Sequence, residues 1–175
     1  TSVQSPFGQK SQFVDEQFKF ENDNFFSNLS RELNEEKIIR VKTINDSQSL
    51  ESLEHHEFDF GIVFGTRKLS PQVIRQFSDN LINVHRGRAE IYRGLDSDLW
   101  AFYHGDFNAA GVTIHKVENK LDTGDIFQQE YLCLKPEMKS WQLRYLTTKI
   151  AVKLVANALE AYFSGKLTFY PQATE

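Results

Sequence analysis

The chain has one cysteine, Cys133, so no internal disulfide can staple it, which fits a reducing compartment. No apolar run approaches the roughly 20 residues of a membrane span. No signal-peptide pattern opens the sequence. The expectation is therefore a cytoplasmic protein that does not enter a membrane. Basic residues are not in excess. Twenty Lys and Arg stand against 24 Asp and Glu, a formal net charge of −4. That balance lacks the broad basic face of a general nucleic-acid binder. Repeats and low-complexity linkers are absent too. What is present is an ordinary globular composition, 40% hydrophobic and 25% charged, over 175 residues. That is enough for one domain with a sizeable core. Fifteen phenylalanines supply much of its apolar material.

Residues 1–24 are polar and weakly patterned, with Phe13, Phe18 and Phe20 placed for a short strand. Phe25, Phe26, Leu29 and Leu33 fit one face of a short helix. The β-branched run Lys37–Ile44 reads as a strand, and Asn45-Asp46-Ser47 can cap a helix reaching about His56. Phe58–Gly65 is an apolar run that reads as a strand buried on both faces. Ser70-Pro71 opens a helix, with Ser70 as cap and Pro71 in the first position. Strands are expected over Asn80–His85, Gly111–Val117 and Ile126–Leu134, and a helix around Asp98–Tyr103. Trp141–Phe163 keeps Leu143, Leu146, Ile150, Leu154, Ala158 and Ala161 on one face, and Gly165 follows as a C-terminal cap. Helix and strand alternate, so the expected class is α/β: a Rossmann-like, mostly parallel sheet flanked by helices. Such domains open on a buried strand, whereas Thr1 opens on polar sequence. The chain is expected to lack its N-terminal strand–helix unit.

Chemistry concentrates between Asn80 and Gln129. Asn83-Val84-His85 ends a short apolar strand, and strand alternation puts Asn83 and His85 on the same face. Ligands of open α/β sheets bind outside such carboxyl ends. Leu121-Asp122-Thr123-Gly124-Asp125 is a turn bearing two carboxylates just before a strand. Tyr92-Arg93-Gly94 follows the histidine in a segment of little regular pattern. Each signal is weak alone. A histidine at a strand end is more often structural, and Asp-x-Gly-Asp is more often a plain turn. Arg86, Arg88 and Arg93 form a local basic cluster that an ordinary solvated face would also show. His115 alternates with Thr113 and Val117, facing the pocket or sitting in its wall. His55-His56 has no partner at metal-ligand spacing and reads as surface. Cys133 reads as a small buried hydrophobe.

Taken together, LINVHRGRAEIYRG and FNAAGVTIHKVENKLDTGDIFQQE resemble the catalytic domain of the folate-dependent formyltransferase family. That family includes methionyl-tRNA formyltransferase, glycinamide ribonucleotide transformylase and the nucleotide-sugar N-formyltransferases. The resemblance rests on Asn-x-His, Tyr-Arg-Gly, Gly-Val-Thr-x-His and Asp-x-Gly-Asp-Ile in that order. FGIVFGTRKLSPQVI resembles the preceding strand, loop and helix, and the likeness runs from about 38 to 172 within a single domain of 1–175. Two departures stand out. Arg86-Gly87-Arg88-Ala89-Glu90-Ile91 replaces a more apolar loop, and the opening strand with its glycine turn is missing.

The resemblance implies transfer of a formyl group from 10-formyltetrahydrofolate to a primary amine. His85 would handle protons, Asn83 would donate to the oxyanion, and Asp122 would orient His85. Phe64, Gly65, Thr66, Glu118 and Leu121 would wall the pterin cleft, while Arg86, Arg93, Gly94 and His115 would meet the acceptor. No metal is required. An amino sugar on a nucleotide carrier is the expected acceptor, mainly by elimination. The alternatives are a 10-formyltetrahydrofolate hydrolase, a methionyl-tRNA formyltransferase fragment, or a non-catalytic folate-binding relative. The tRNA reading is disfavoured because no additional C-terminal domain follows and the charge is acidic. Edge strands and surface aromatics are compatible with a homodimer.

Overall fold

In the computed structural model, residues 12–26, 37–77 and 79–173 are described. Among them four strands form one sheet in the order β1-β2-β3-β4, with β1 at Gly61–Phe64, β2 at Leu81–Arg86, β3 at Gly111–Lys116 and β4 at Ile126–Tyr131. β1 and β2 pair in parallel, while β2·β3 and β3·β4 are antiparallel. Three strands therefore run one way and β3 runs against them. Helices cover both faces, as the α/β Rossmann-like reading expects.

Strand alternation decides what lies on each face. Ile82 and Val84 on β2, with Val112 and Ile114 on β3, point to α5 (Leu143–Phe163) and pack against its Ala151, Leu154 and Ala158. Leu81 points the other way, into a second cluster with Leu69 and Val73. That cluster lies beneath α2 (Ser47–Glu54) and α3 (Pro71–Arg75), whose Leu50, Leu53 and Ile74 pack on it. The predicted caps are in place. The Asp46 carboxylate accepts from Ser49 N–H at 2.8 Å, and Ser70 Oγ from Val73 N–H at 3.3 Å. Burial beneath the helices is complete for Ile82, Ile114 and Leu154. Each such side chain stabilises the fold by about 1.5–3 kcal/mol relative to exposure.

Four expectations are corrected. Cys133, read as a small buried hydrophobe, is exposed. The segment holding Phe13, Phe18 and Phe20 is not a strand but a helix, α1 (Gln12–Glu21), followed by a π-helical turn at Asn22–Phe26. Phe20 docks edge-on against Trp141 and Tyr145, a tertiary contact that overrides local strand preference. Lys37–Ile44 forms no strand, and Ile39 stays 59% exposed. β1 is not buried on both faces. It is the sheet edge among the described residues, with Ile62 and Phe64 exposed. The helix expected around Phe25–Leu33 falls mostly on 27–36, outside the described residues. α4 (Ser97–Tyr103) and β4 match their predicted places, β4 ending at Tyr131 rather than Leu134. No helix of the described residues is long and apolar enough to cross a membrane.

Candidate active site

Leu81, Asn83 and His85 share the face of β2 opposite α5. Leu81 is covered by α3, and the cover ends where the polar residues begin. Across the ladder Asn83 faces His115 and His85 faces Thr113 on β3, so four polar side chains share one patch of sheet. The β3·β4 register slips between Ile114 and His115, a local irregularity beside the site. Asp122 arrives from the turn before β4. Gly124 in that turn has to be glycine, because a Cβ there would collide with the Lys116 carbonyl.

Asp122 is the hub. Its Oδ1 accepts from Asn83 Nδ2 at 3.1 Å and lies 3.5 Å from His115 Nε2. Its Oδ2 accepts from Gly94 N–H at 2.7 Å and lies 3.5 Å from His85 Nδ1. His85, His115 and Asp122 are all buried. Burial alone pushes the Asp122 carboxyl up, but the His115 contact, His85 and the Gly94 N–H together hold it below its ordinary 3.8. His85 goes the other way. Burial lowers it below 6.5, and the Asp122 carboxylate only partly offsets that.

The backbone settles the His85 tautomer. His85 Nε2 lies 2.8 Å from the Tyr92 carbonyl, which can only accept, so Nε2 carries the proton. Nδ1 is then the basic nitrogen of His85, directed at Asp122. His115 Nδ1 lies 2.7 Å from the Lys116 carbonyl, and its Nε2 lies 3.2 Å from Asn83 Nδ2 and 3.5 Å from Asp122 Oδ1. Asn83 Nδ2 thus stands between Asp122 and His115. His85, His115 and Asp122 have ligand atoms within 4.8 Å of one another, a spacing that could admit a cation. Asn83, however, already donates to Asp122 Oδ1 and stands against His115 Nε2, two of the atoms a metal would need.

The site opens into a cleft of about 460 Å³ whose walls include Phe64, Gly65, Thr66, Leu121, Arg86 and Gly94. A smaller extension adds Glu118, Lys120 and His115. The cleft lies outside the carboxyl ends of β1 and β2. Of the five residues named for the pterin wall, Phe64, Gly65, Thr66 and Leu121 line the cleft, and Glu118 lines only the smaller extension. Arg86 is on the α5 face of the sheet, across from Asn83 and His85. It donates to Thr148 Oγ1 at 2.8 Å and stands 4.8 Å from the Phe64 ring centroid. Its Nε is buried without a partner. Arg93 lies apart from the cleft lining and is exposed. It donates from Nε to the Ala89 carbonyl at 3.2 Å and from Nη2 to Gln172 Oε1 at 3.4 Å. Arg88 pairs loosely with Glu90 at 3.9 Å. The basic cluster of the sequence therefore divides three ways.

Sequence reading named Tyr92 and Gly94 within one motif but not their role: the Tyr92 carbonyl and the Gly94 N–H act through backbone atoms, which no side-chain pattern reports. Other residues it did not single out. Arg144, in the first turn of α5, lines the cleft and pairs with Asp96 and Asp98. The only cue for it was a charge beside the apolar stripe. Gln129 donates to Glu90 Oε2 and Thr113 Oγ1, tying β4 to the site wall.

Known proteins resemble this chain in sequence and in fold. The family model described as formyl transferase matches residues 8–159. Methionyl-tRNA formyltransferase of Roseiflexus castenholzii (strain DSM 13941 / HLO8) is 26% identical over 136 residues, covering 77% of this chain and 43% of that protein. The enzyme of that name from Synechococcus sp. (strain JA-2-3B'a(2-13)) is 29% identical over 133 residues, covering 75% and 41%. This chain thus spans less than half the length of these curated relatives. The formyltransferase PseJ from Anoxybacillus kamchatkensis, solved with UDP-4,6-dideoxy-4-formamido-L-AltNAc and tetrahydrofolate, superposes with a TM-score of 0.60 at 28% identity, covering 67% of this chain and 61% of PseJ. Matched by that family's model over most of its length, the chain belongs to the formyl transferase family.

Proposed function

We propose that this chain catalyses transfer of a formyl group from 10-formyltetrahydrofolate to a primary amine, and that the amine sits on a nucleotide-linked sugar. The observation that carries the reading is the Asp122 carboxylate shared by Asn83, His85, His115 and the Gly94 N–H at the cleft mouth. The cleft has a size suited to a pterin, within the usual range of about 300–1,000 Å³. Phe64 and Leu121 give it apolar walls, and Gly65, at φ +63, allows backbone to approach a ring closely. A bound 10-formyltetrahydrofolate would supply the formyl carbon that the amine attacks.

The residues divide the work. His85 Nδ1 takes the proton that the amine loses, and burial keeps that nitrogen unprotonated at neutral pH. Asp122 stabilises the imidazolium so formed. Asn83 turns the amide hydrogen near His115 Nε2 to the developing oxyanion. That contact, at 3.2 Å, is the longer of its two, and a negative oxygen is the stronger acceptor. The proton held on His85 passes to the nitrogen that leaves. Arg86, whose side chain borders the cleft, meets an anionic group of the acceptor.

The acceptor class draws support from PseJ, whose structure holds a formamido sugar on a uridine diphosphate. A methionyl-tRNA acceptor is the second reading, favoured by the names of the curated relatives. The test is mass gain of 28 Da, one formyl group replacing one hydrogen, on a panel of nucleotide amino sugars and methionyl-tRNA. Wild type and His85→Ala are run side by side. Gain on a nucleotide sugar, lost in the mutant, supports the proposal. Gain on tRNA alone moves the acceptor. His85-dependent formate release without any acceptor moves the reaction to hydrolysis, and equal behaviour of both proteins refutes the role of His85.

A further inference from the structure

Asp122 has φ +52, the left-handed region, which a non-glycine residue adopts only under strain. Its carboxylate is held by Asn83 and Gly94, yet those bonds fix the side chain and not the peptide groups of the turn. The carbonyls of Asp122 and Gly124 are held by one distant residue. Gln172 Nε2 donates to Asp122 O at 2.8 Å and to Gly124 O at 2.9 Å. Its Oε1 accepts from Arg93 Nη2 at 3.4 Å.

The anchoring of Gln172 gives these bonds leverage. Two residues before it, Tyr170 exchanges both backbone hydrogen bonds with Ile126 at 2.8 and 2.9 Å. Phe169 packs on the core against Phe127. The tail is thus fixed to the first residue of β4, four positions after Asp122. From there a single amide spans two loops. One is the turn carrying Asp122. The other carries Arg93, flanked by the Tyr92 carbonyl that receives His85 and the Gly94 N–H that holds Asp122. Gln172 is absent from the cleft lining, and the matched family region ends at 159, before it.

We propose that Gln172 is a positioning residue that clamps the strained Asp122 turn against the Tyr92–Gly94 loop and so sets the carboxylate's approach to His85. The proposal rests on the catalytic reading of Asp122 given above. Gln172 touches no reacting group. Its effect passes through the place of Asp122.

The test uses Gln172→Met, which keeps length and loses the hydrogen bonds, and Gln172→Glu, which keeps shape but cannot donate to two carbonyls. Two readouts are taken on the full chain: the His85 ring titration by NMR, and kcat and KM for the formyl donor. The proposal expects kcat to fall about tenfold or more in both variants, since small misplacements at a reacting centre carry such costs. Donor KM should stay within about twofold. The His85 midpoint should move down, because Asp122 is the group that raises it. Wild-type kcat with an unmoved His85 titration in a folded variant would overturn the clamp. If Gln172→Met fails to fold, Gln172→Glu decides by the same criteria. Asp122→Asn is the control. Should it retain wild-type turnover, the catalytic reading fails, and the clamp is judged on the His85 titration alone: a downward shift upholds it and an unmoved midpoint overturns it.

Discussion

Two hollows flank the first turn of α5. One, about 700 Å³, is walled by Phe102, Phe107, Leu132, Leu134, Leu143 and Leu146. The other, about 460 Å³, has Arg144 from the same turn and opens onto Asn83, His85 and Asp122. The larger is the more apolar and the poorer candidate for chemistry. Among the described residues, the one cluster of buried histidine and carboxylate lies at the smaller. There, environment drives His85 and Asp122 in a way that leaves one a free base and the other a charged carboxylate. Volume reports where side chains fail to meet. Function follows from groups whose protonation is held by their neighbours.

The contrast can be broken by mutating each hollow in turn. His85→Ala should lower kcat by about 10²–10⁴-fold, while Phe107→Ser, in the larger hollow, should leave turnover within about twofold of wild type. An equal loss in both would end the distinction. Asn83→Ala should cost about 10²–10³-fold in kcat, the usual effect of losing one oxyanion donor. Within the smaller hollow the basic residues should separate as well. Arg86→Met should raise acceptor KM about tenfold, the loss of one charge-assisted hydrogen bond. Arg88→Met should leave it within about twofold, because that side chain meets Glu90 rather than the cleft.

The smallest effect is on pH. A buried histidine with a lowered folded-state value remains the working base below 6.5, so the acid limb of kcat/KM should lie below that value. Asp122→Asn removes the charge that raises His85 and should move the residual acid limb lower still. Stability carries the same sign. The His85 contribution is complete above 6.5, the unfolded value, and is lost as pH falls toward the lower folded value. Chemical denaturation at two pH values, with His85→Gln as reference, reads it out.

Where local pattern and burial agree, the sequence was enough. The stripe of α5, the Ser70 cap with Pro71, and the shared face of Asn83 and His85 all follow from spacing. Where tertiary context decides, it was not. Lys37–Ile44 has strand composition, but among the described residues no neighbouring strand takes up its backbone groups, and its side chains line a separate hollow with Leu53. Phe58–Gly65 looks buried because edge and centre strands share a composition. Within the site, side-chain identities were legible and their connections were not. Tyr92 and Gly94 contribute peptide groups, and Gln172 reaches Asp122 across 50 residues. Arg93, within the Tyr-Arg-Gly motif, reads as a stronger candidate for the acceptor than Arg86, yet the fold puts Arg86 on the cleft wall and Arg93 outside its lining.

If the cleft at Asn83, His85 and Asp122 performs the transfer, losing His85 should slow the chemistry and spare donor binding. Single-turnover formyl transfer by His85→Ala, measured beside its affinity for 10-formyltetrahydrofolate, tests this most directly. Donor affinity should stay within about threefold of wild type and the transfer rate should fall at least about 100-fold. Transfer at the wild-type rate in a variant that binds the donor normally would contradict catalysis at this cleft.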